Sequence, residues 1–377
     1  MFHPKFQPAI HALVLAGAVG CASCPAHAGT VKKVFVIAME NHNWTQPSSQ
    51  TSPQQIFQNP AAPFINSLVN GTSGISDQVA FANGYINSGV GIHPSEPNYI
   101  WSEAGTNFGV TSDADPYSST CSPQTVQFTT QHLSTFLTIN RKTWKSYQED
   151  TDVDLGTNAP LPAISWTVPL FSKSGTFSNG VNAYNYSNQY NYAAKHNPMV
   201  FFQDTNGGCD TSTSNRLRLN YAPLQQLALD LADNTAADYN WITPDQYNDQ
   251  HSTLANNYGQ FTGDTASIAQ GDNFLARIVP LIMSSDAYQD HGVIVLWWDE
   301  SEGGDGPSRT LPFIIISQEA HRNVGGLPYS NTTQYSHSSF LRTMQEIFNV
   351  DPPRYPWLGA AATAIDLSDL FKPGAIK

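Results

Sequence analysis

Three groups of polar side chains stand directly after apolar runs, and their residue types are those that hold cations and phosphate groups. The first is Met39-Glu40-Asn41-His42-Asn43. A carboxylate beside an amide oxygen offers hard donors suited to a divalent cation, although a polar turn would use the same residues. The second is Trp298-Asp299-Glu300, followed by Gly303-Gly304-Asp305-Gly306. Two adjacent acids at a strand exit repel each other unless a cation or a proton compensates, and the glycines give the next loop the freedom to wrap a ligand. The third runs from Gly91 through His93-Pro94-Ser95-Glu96-Pro97-Asn98-Tyr99. Its prolines fix the backbone around Ser95, and a hydroxyl presented at a helix start is well placed for phosphoryl chemistry. Asn98, one turn on, can donate to a phosphate oxygen. A serine hydroxyl needs activation to act as a nucleophile, and a bound metal supplies it; a Pro-rich helix cap is the plainer reading of this stretch alone. A fourth stretch, Thr243 to His251, contributes Asp249 and His251, which with His337 of Tyr335-Ser336-His337-Ser338 would complete a second, His-bearing metal site.

These groups need elements to bring them together. Val34–Met39 and Val293–Trp298 are continuous apolar runs, as expected of strands covered on both faces. Trp144–Tyr147, Met199–Phe202, Tyr239–Ile242 and Phe313–Ile316 read as further strands. Helical patterns cover Pro63–Val69, Pro223–Ala232, Asp272–Met283 and Phe340–Phe348, with one more continuing from Ser95 through Trp101. Strands alternating with helices predict an α/β fold with a largely parallel central sheet sandwiched by helices. In such sheets ligands sit beyond the carboxyl ends of the strands, which is where the polar groups fall. Segments 108–130 and 150–195, rich in Ser, Asn, Gly and Pro, read as loop insertions roofing the site within one domain spanning 29–377.

Composition narrows the function. Lys5, the apolar run Ala12–Gly20 and Ala26-His27-Ala28 have the order of a cleaved secretory signal over 1–28; Ala18-Val19-Gly20-Cys21 also loosely matches a lipobox. This predicts a periplasmic or secreted protein, and no later apolar stretch has membrane-spanning length. Cys121 and Cys209 then remain and most simply form one disulfide between two surface loops. The formal net charge of −13 leaves no basic stripe for nucleic acid. It also repels phosphate esters at long range unless metal ions invert the field locally.

In their order, these motifs resemble those of the bacterial phosphoesterase family that includes secreted acid phosphatases and phospholipases C, within the alkaline-phosphatase-like superfamily. The carriers are Glu40-Asn41-His42, His93-Pro94-Ser95 with Pro97-Asn98-Tyr99, Trp144–Tyr147, His196-Asn197-Pro198, Trp241 to His251, Trp298-Asp299-Glu300, Tyr335-Ser336-His337 and Leu341-Arg342-Thr343. Together they span about residues 32 to 350. The resemblance implies metal binding by Glu40, Asn41, Asp299 and Glu300, and Ser95 as the nucleophile with His93 and Asn98 beside it. Lys145 and His196 would contact substrate oxygens or protonate the leaving group, and Arg309 would bind a non-transferred phosphate oxygen; equally, Lys145 surfaces between core aromatics and Arg309 pairs with Asp305. Two positions depart from the family pattern: Glu96 stands where relatives usually carry an apolar residue, and Gly306 to Arg309 replaces a second acidic or His position.

The expectation is a secreted phosphatase hydrolysing phosphate monoesters through a phosphoseryl intermediate, with one or two divalent ions. The oxygen-rich first site suits Ca, Mg or Mn, and His251 and His337 would admit Zn. A phospholipase C or other phosphodiesterase working at a lipid surface is the alternative within enzymes. A non-catalytic surface-binding protein is the alternative outside them.

Overall fold

A strand with no polar side chain is stable only where both of its faces are covered. β1 (Lys33–Met39) and β8 (Gly292–Trp298) meet that condition: Val34 to Met39 and Val293 to Trp298 are buried without exception. In the computed structural model, which describes residues 29–377, the two lie side by side in the middle of an eight-stranded sheet. The expected leader, 1–28, falls outside the described residues. The other strands of this sheet are β2 (Val79–Ile86), β3 (Trp144–Gln148), β6 (Tyr221–Pro223), β7 (Tyr239–Thr243), β9 (Phe313–Ser317) and β10 (Tyr329–Ser336). A separate antiparallel pair is formed by β4 (Lys173–Thr176) and β5 (Gln189–Tyr192). The order is β10-β2-β9-β8-β1-β7-β3-β6, and every strand but β9 runs parallel to its neighbours. The α/β class and the largely parallel sheet are therefore as the apolar runs implied.

The helices are α1 (Pro63–Val69), α2 (Ser95–Ala104), α3 (Leu133–Ile139), α4 (Gln203–Asn206), α5 (Gln225–Ala232), α6 (Asp264–Met283), α7 (Asp286–Gln289) and α8 (His337–Ile347). They pack as two sets, α1, α5 and α7 against α6, and α3 and α8 against α2. One apolar cluster joins both sets to the sheet, with Trp241, Trp297 and Trp298 among its largest buried members.

Register then dictates what leaves the sheet together. Met39 is opposite Trp298, so Glu40 and Asp299 emerge as neighbours, and the Asp299 N–H donates to the Met39 carbonyl (3.3 Å). On the other flank Ile37 is opposite Ile242 of β7, and the Glu40 N–H donates to the Asp249 carbonyl (2.8 Å). Three polar groups distant in sequence are thus fixed at one sheet edge by backbone pairing.

Some expected elements differ. Met199–Phe202 is not a strand: Pro198–Phe201 winds as a 3₁₀ turn, because Pro198 lacks the N–H a ladder needs and suits a helical first turn. α6 begins at Asp264, eight residues before the expected start, since Gly271 interrupts the apolar spacing. β2 and β10 were hidden by Asn83-Gly84 and by a polar, irregular run. Gly84 is required there, because a Cβ would lie 2.6 Å from the Thr333 carbonyl oxygen where the β2–β10 register shifts. Cys121 and Cys209 form the expected disulfide. Among the described residues no helix is long and apolar enough to cross a membrane.

Candidate metal and phosphate site

Glu40 is the hub of the polar groups at the strand exits. Its Oε2 accepts from Ser95 Oγ (3.0 Å), the first residue of α2, and its Oε1 accepts from the Tyr99 hydroxyl (2.7 Å), one turn along the same helix. The His196 ring stacks on Tyr99 with centroids 5.0 Å apart. Its Nε2 lies 3.0 Å from Glu40 Oε1 and its Nδ1 lies 3.1 Å from Asp249 Oδ2. Neither approach has the alignment of a hydrogen bond, and both ring nitrogens, Asp249 Oδ2 and both carboxylate oxygens of Asp299 are buried without partners. Ligand atoms of Glu40, His196 and Asp249 all fall within 4.8 Å of one another.

The electrostatics follow from burial. Glu40, Asp249 and Asp299 are fully buried. Desolvation pushes the Glu40 carboxyl up to about 8, against the pull of Lys195 and the Tyr99 hydroxyl. Burial, then the charge of Glu40, raises Asp249 and Asp299 well above the usual carboxylate range. Burial also keeps His196 well below its ordinary value, assisted by Lys195 and His251. Buried donors without partners are costly unless something occupies them. Carboxylate oxygens converging with a neutral imidazole are the donor set of a divalent cation. The residues present fit such an ion. A second acidic trio, Glu149, Asp150 and Asp245, is equally close-set, but its oxygens are met by Asn182, Asn248 and backbone N–H groups.

A second arm adjoins the hub. His93 Nδ1 contacts Glu300 Oε2 (2.5 Å), its Nε2 contacts Asp305 Oδ1 (3.0 Å), and Asn98 Nδ2 reaches Glu300 Oε2 at 3.5 Å. The Glu300 bond, outweighing burial, holds His93 up at about 9. Asp305 also accepts from Asn87 Nδ2 (3.0 Å), the Gly91 N–H (2.6 Å) and Ser301 Oγ (3.2 Å). This single carboxylate pins the whole approach to Ser95.

The other expected site residues divide. Asn41, half-buried, directly follows Glu40, and His251, held down to about 4 by burial, lies with its ring 6.0 Å from that of His196. His337 is buried with both nitrogens engaged. Nδ1 accepts from Trp297 Nε1 (2.9 Å) and meets the Tyr85 hydroxyl (2.9 Å), while Nε2 donates to the Asp299 carbonyl (2.5 Å). No lone pair is left for a metal, so His337 steadies the Asp299 backbone instead. Lys145 is level with Phe35 through Asn240, five residues or roughly 16 Å of strand short of Glu40. It pairs with Asp230 (2.5 Å). Arg309 donates to Gln50 Oε1 (2.7 Å) rather than pairing with Asp305.

Three participants were not foreseen. Tyr99 closes the Pro97-Asn98-Tyr99 motif with no role read from its type. Lys195 immediately precedes His196, and its charge acts on Glu40, Asp249 and Asp299 alike. Asp113 joins Lys195 Nζ (3.1 Å) to the Glu96 N–H (3.1 Å). For Lys195 the available sign was its place beside His196-Asn197-Pro198; for Asp113, inside a low-pattern insertion, there was none.

Residues 26–351 match the Phosphoesterase family. The chain belongs to that family. Among its relatives is the phosphatidylinositol-3-phosphatase of Mycobacterium tuberculosis, 26% identical over 91% of this chain and 83% of the relative. The phosphate-repressible acid phosphatase of Penicillium chrysogenum is 24% identical over 67% of this chain. The acid phosphatase of Aspergillus fumigatus is 30% identical over the same share, 67%. The chain spans about half the length of these two fungal relatives, 48% and 45%. An alkaline-phosphatase-superfamily protein from Vibrio parahaemolyticus superposes with a TM-score of 0.48 at 10% identity, covering 92% of this chain and 73% of that one.

Proposed function

We propose that this phosphoesterase is an exported, metal-dependent phosphatase that hydrolyses phosphate monoesters with Ser95 as nucleophile. The observation that carries the reading is the Ser95 hydroxyl at the head of α2, donating to Glu40 Oε2 at 3.0 Å beside buried, unpartnered oxygens of Asp299 and Asp249. Glu40, Asp299, Asp249 and His196 would hold the cation, with Asn41 and Glu300 at its edge. When bound, a divalent ion neutralises phosphate charge and eases loss of the nucleophile's proton.

The chain's own groups do the rest. Glu40 orients the Ser95 hydroxyl and Tyr99 fixes the other oxygen of that carboxylate. Asp305 and Glu300 hold His93, leaving the ring beside Ser95. Attack by Ser95 Oγ on phosphorus breaks the ester P–O bond and releases the alcohol; water then cleaves the phosphoseryl ester and restores the hydroxyl. Positioning and charge stabilisation carry most of such an acceleration. The leader-like order of residues 1–28 and the Cys121–Cys209 disulfide support export.

The Mycobacterium relative, aligned over most of both chains, favours a second reading of the substrate: a phosphate monoester carried on a lipid headgroup. One experiment addresses both. The metal-loaded chain is assayed on p-nitrophenyl phosphate, its bis-ester and a phosphoinositide in vesicles, with Ser95→Ala alongside. Monoester turnover falling roughly 10³-fold or more in the variant is expected. Near-full activity in Ser95→Ala removes the nucleophile assignment, and turnover confined to the bis-ester removes the phosphatase reading. Activity that survives exhaustive chelation removes the metal.

A further inference from the structure

The site described so far is a concentration of negative charge, yet the ligand proposed for it is an anion. A cation facing one side of the site cannot by itself orient a tetrahedral group with three free oxygens; a second positive group on another side is needed. The residues first suited to that role, Lys145 and Arg309, are turned to Asp230 and Gln50. Lys195 is not. It sits in the short turn Ala194–His196, whose position is set by Thr243 Oγ1 donating to the His196 carbonyl (2.9 Å) at the exit of β7. Its side chain is only 13% exposed, and its Nζ is held 3.1 Å from Asp113 Oδ2. The other oxygen of Asp113 accepts from the Glu96 N–H, the residue after Ser95. One carboxylate of segment 108–130 therefore suspends the ammonium beside the head of α2, within electrostatic reach of Glu40 and Asp299.

We infer that Lys195 is the phosphate-anchoring residue of this site, and that Asp113 holds its ammonium in place until a phosphate oxygen takes over the contact. The inference rests on the phosphatase reading and adds to it the group that recognises the transferred phosphoryl. An ammonium is a compact point donor with three N–H groups. It can turn one of these from Asp113 to a non-bridging oxygen by rotation about the ammonium, so anchoring needs no large movement. Asp113 is the more exposed partner, with its side chain 31% open to solvent. Water can therefore replace its half of the pair, whereas the ammonium is largely withdrawn from solvent. Segment 108–130 is tied in turn to segment 150–195 by Ser172 Oγ donating to Asp115 Oδ1 (2.7 Å). The two insertions thus share the task of presenting Lys195 to the site.

The test uses the full metal-loaded chain and inorganic phosphate as probe, with binding followed by calorimetry and turnover by p-nitrophenyl phosphate. Lys195→Met keeps the length of the side chain and removes its charge. It is expected to weaken phosphate roughly ten- to hundred-fold and to raise KM more than it lowers kcat, at unchanged metal content. Lys195→Arg should recover most of the loss. Asp113→Asn frees the ammonium and should leave phosphate affinity unchanged or improve it. The inference is overturned if Lys195→Met binds phosphate within about two-fold of the native chain. It is equally overturned if Asp113→Asn weakens phosphate as much as Lys195→Met, since Lys195 would then serve only as a tether for segment 108–130. Should the native chain bind phosphate through Lys195 but hydrolyse no ester, the anchor stands and the catalytic reading falls. Turnover with an unaltered Lys195→Met affinity does the reverse.

Discussion

Ser95 is only as well placed as the helix beneath it, and α2 is fastened at its far end by a charge triad whose Glu103 and His132 are buried and whose Asp204 faces solvent. Glu103 Oε2 accepts from His132 Nδ1 (3.0 Å) and from the Ser134 N–H (2.9 Å), while His132 Nε2 meets Asp204 Oδ1 (2.9 Å). The imidazole stacks on Phe202 at 3.9 Å. Burial alone would lower the His132 pKa, but its bonds to Asp204 and Glu103 outweigh that and raise it; for Asp204, partial burial is outweighed by the bond and charge of His132 and by the Thr135 hydroxyl, which lower its pKa. A raised histidine stabilises the fold fully below its unfolded pKa of roughly 6.5, and that stability is lost as pH climbs through the folded value. A lowered aspartate contributes above its unfolded pKa of about 3.9 and loses the contribution as pH falls through the folded value. The triad is therefore strongest in mild acid, between those limits. His132→Gln leaves Glu103 buried with Oε1 already unpartnered, an uncompensated charge costing about 3–5 kcal/mol, or roughly 4–7 °C in Tm for a chain of this size. Urea unfolding of native and variant chains from pH 5 to 9.5 should show a penalty largest near pH 5 and shrinking upward. A penalty equal at both ends, or growing with pH, would refute the argument.

Two further substitutions probe how the surroundings hold the site. Gln250, between Asp249 and His251, is in the left-handed region at φ 86°, its side chain accepting from Trp298 Nε1 (2.9 Å). It packs into the space left by Gly271, where an added Cβ would stand 2.2 Å from Gln250 Cγ. Gly271→Ala should displace Gln250 and with it Asp249, lowering stability by about 1–3 kcal/mol and metal affinity in step; unaltered metal binding would show that Asp249 is placed by other contacts. Asp305→Asn loses the charge that gathers Asn87, Gly91, His93 and Ser301, and kcat is expected to fall roughly 10–100-fold with little change in Tm. Unaffected steady-state kinetics would show that the loop before Ser95 is held without it.

What could be read from the sequence was what backbone pairing controls. Glu40, Asp299 and Asp249 each follow an apolar run, and parallel register carries such residues to one edge whatever their spacing in the chain. The position of Ser95 at a helix start was legible because Pro94 and Pro97 bracket it. What stayed hidden depends on contacts across the sheet or between loops. His337 has the residue type of a ligand, but only the positions of Trp297, Tyr85 and the Asp299 carbonyl show that its nitrogens are occupied. Lys145 sits in a quoted motif, yet its level in β3 puts it well short of the exits, a fact contained in register and not in residue type. Strand β2 escaped because its short apolar start, Val79 to Ala82, gives way to Asn83-Gly84, and the edge strand β10 escaped because it is polar, largely exposed and irregular in register.

The charge of the whole chain and the chemistry of its site pull in opposite directions, and the architecture resolves the conflict locally. A net charge of −13 disfavours approach of a phosphate ester, and the deepest residues of the site are themselves acids. Those acids are held where water does not reach them, and burial raises their pKa values, so a cation and not the solvent would stabilise their charged forms. The unpartnered oxygens of Asp299 and Asp249 make that arrangement unstable until it is filled. On the proposed reading, a divalent ion held there, with the Lys195 charge nearby, would offset most of the negative charge of Glu40, Asp249 and Asp299 beside Ser95. That offset would depend on a bound ion and not on surface composition, so it would concern only ligands that reach the strand exits. On that reading a phosphate ester at the head of α2 would meet the ion on one side and the Lys195 ammonium on another.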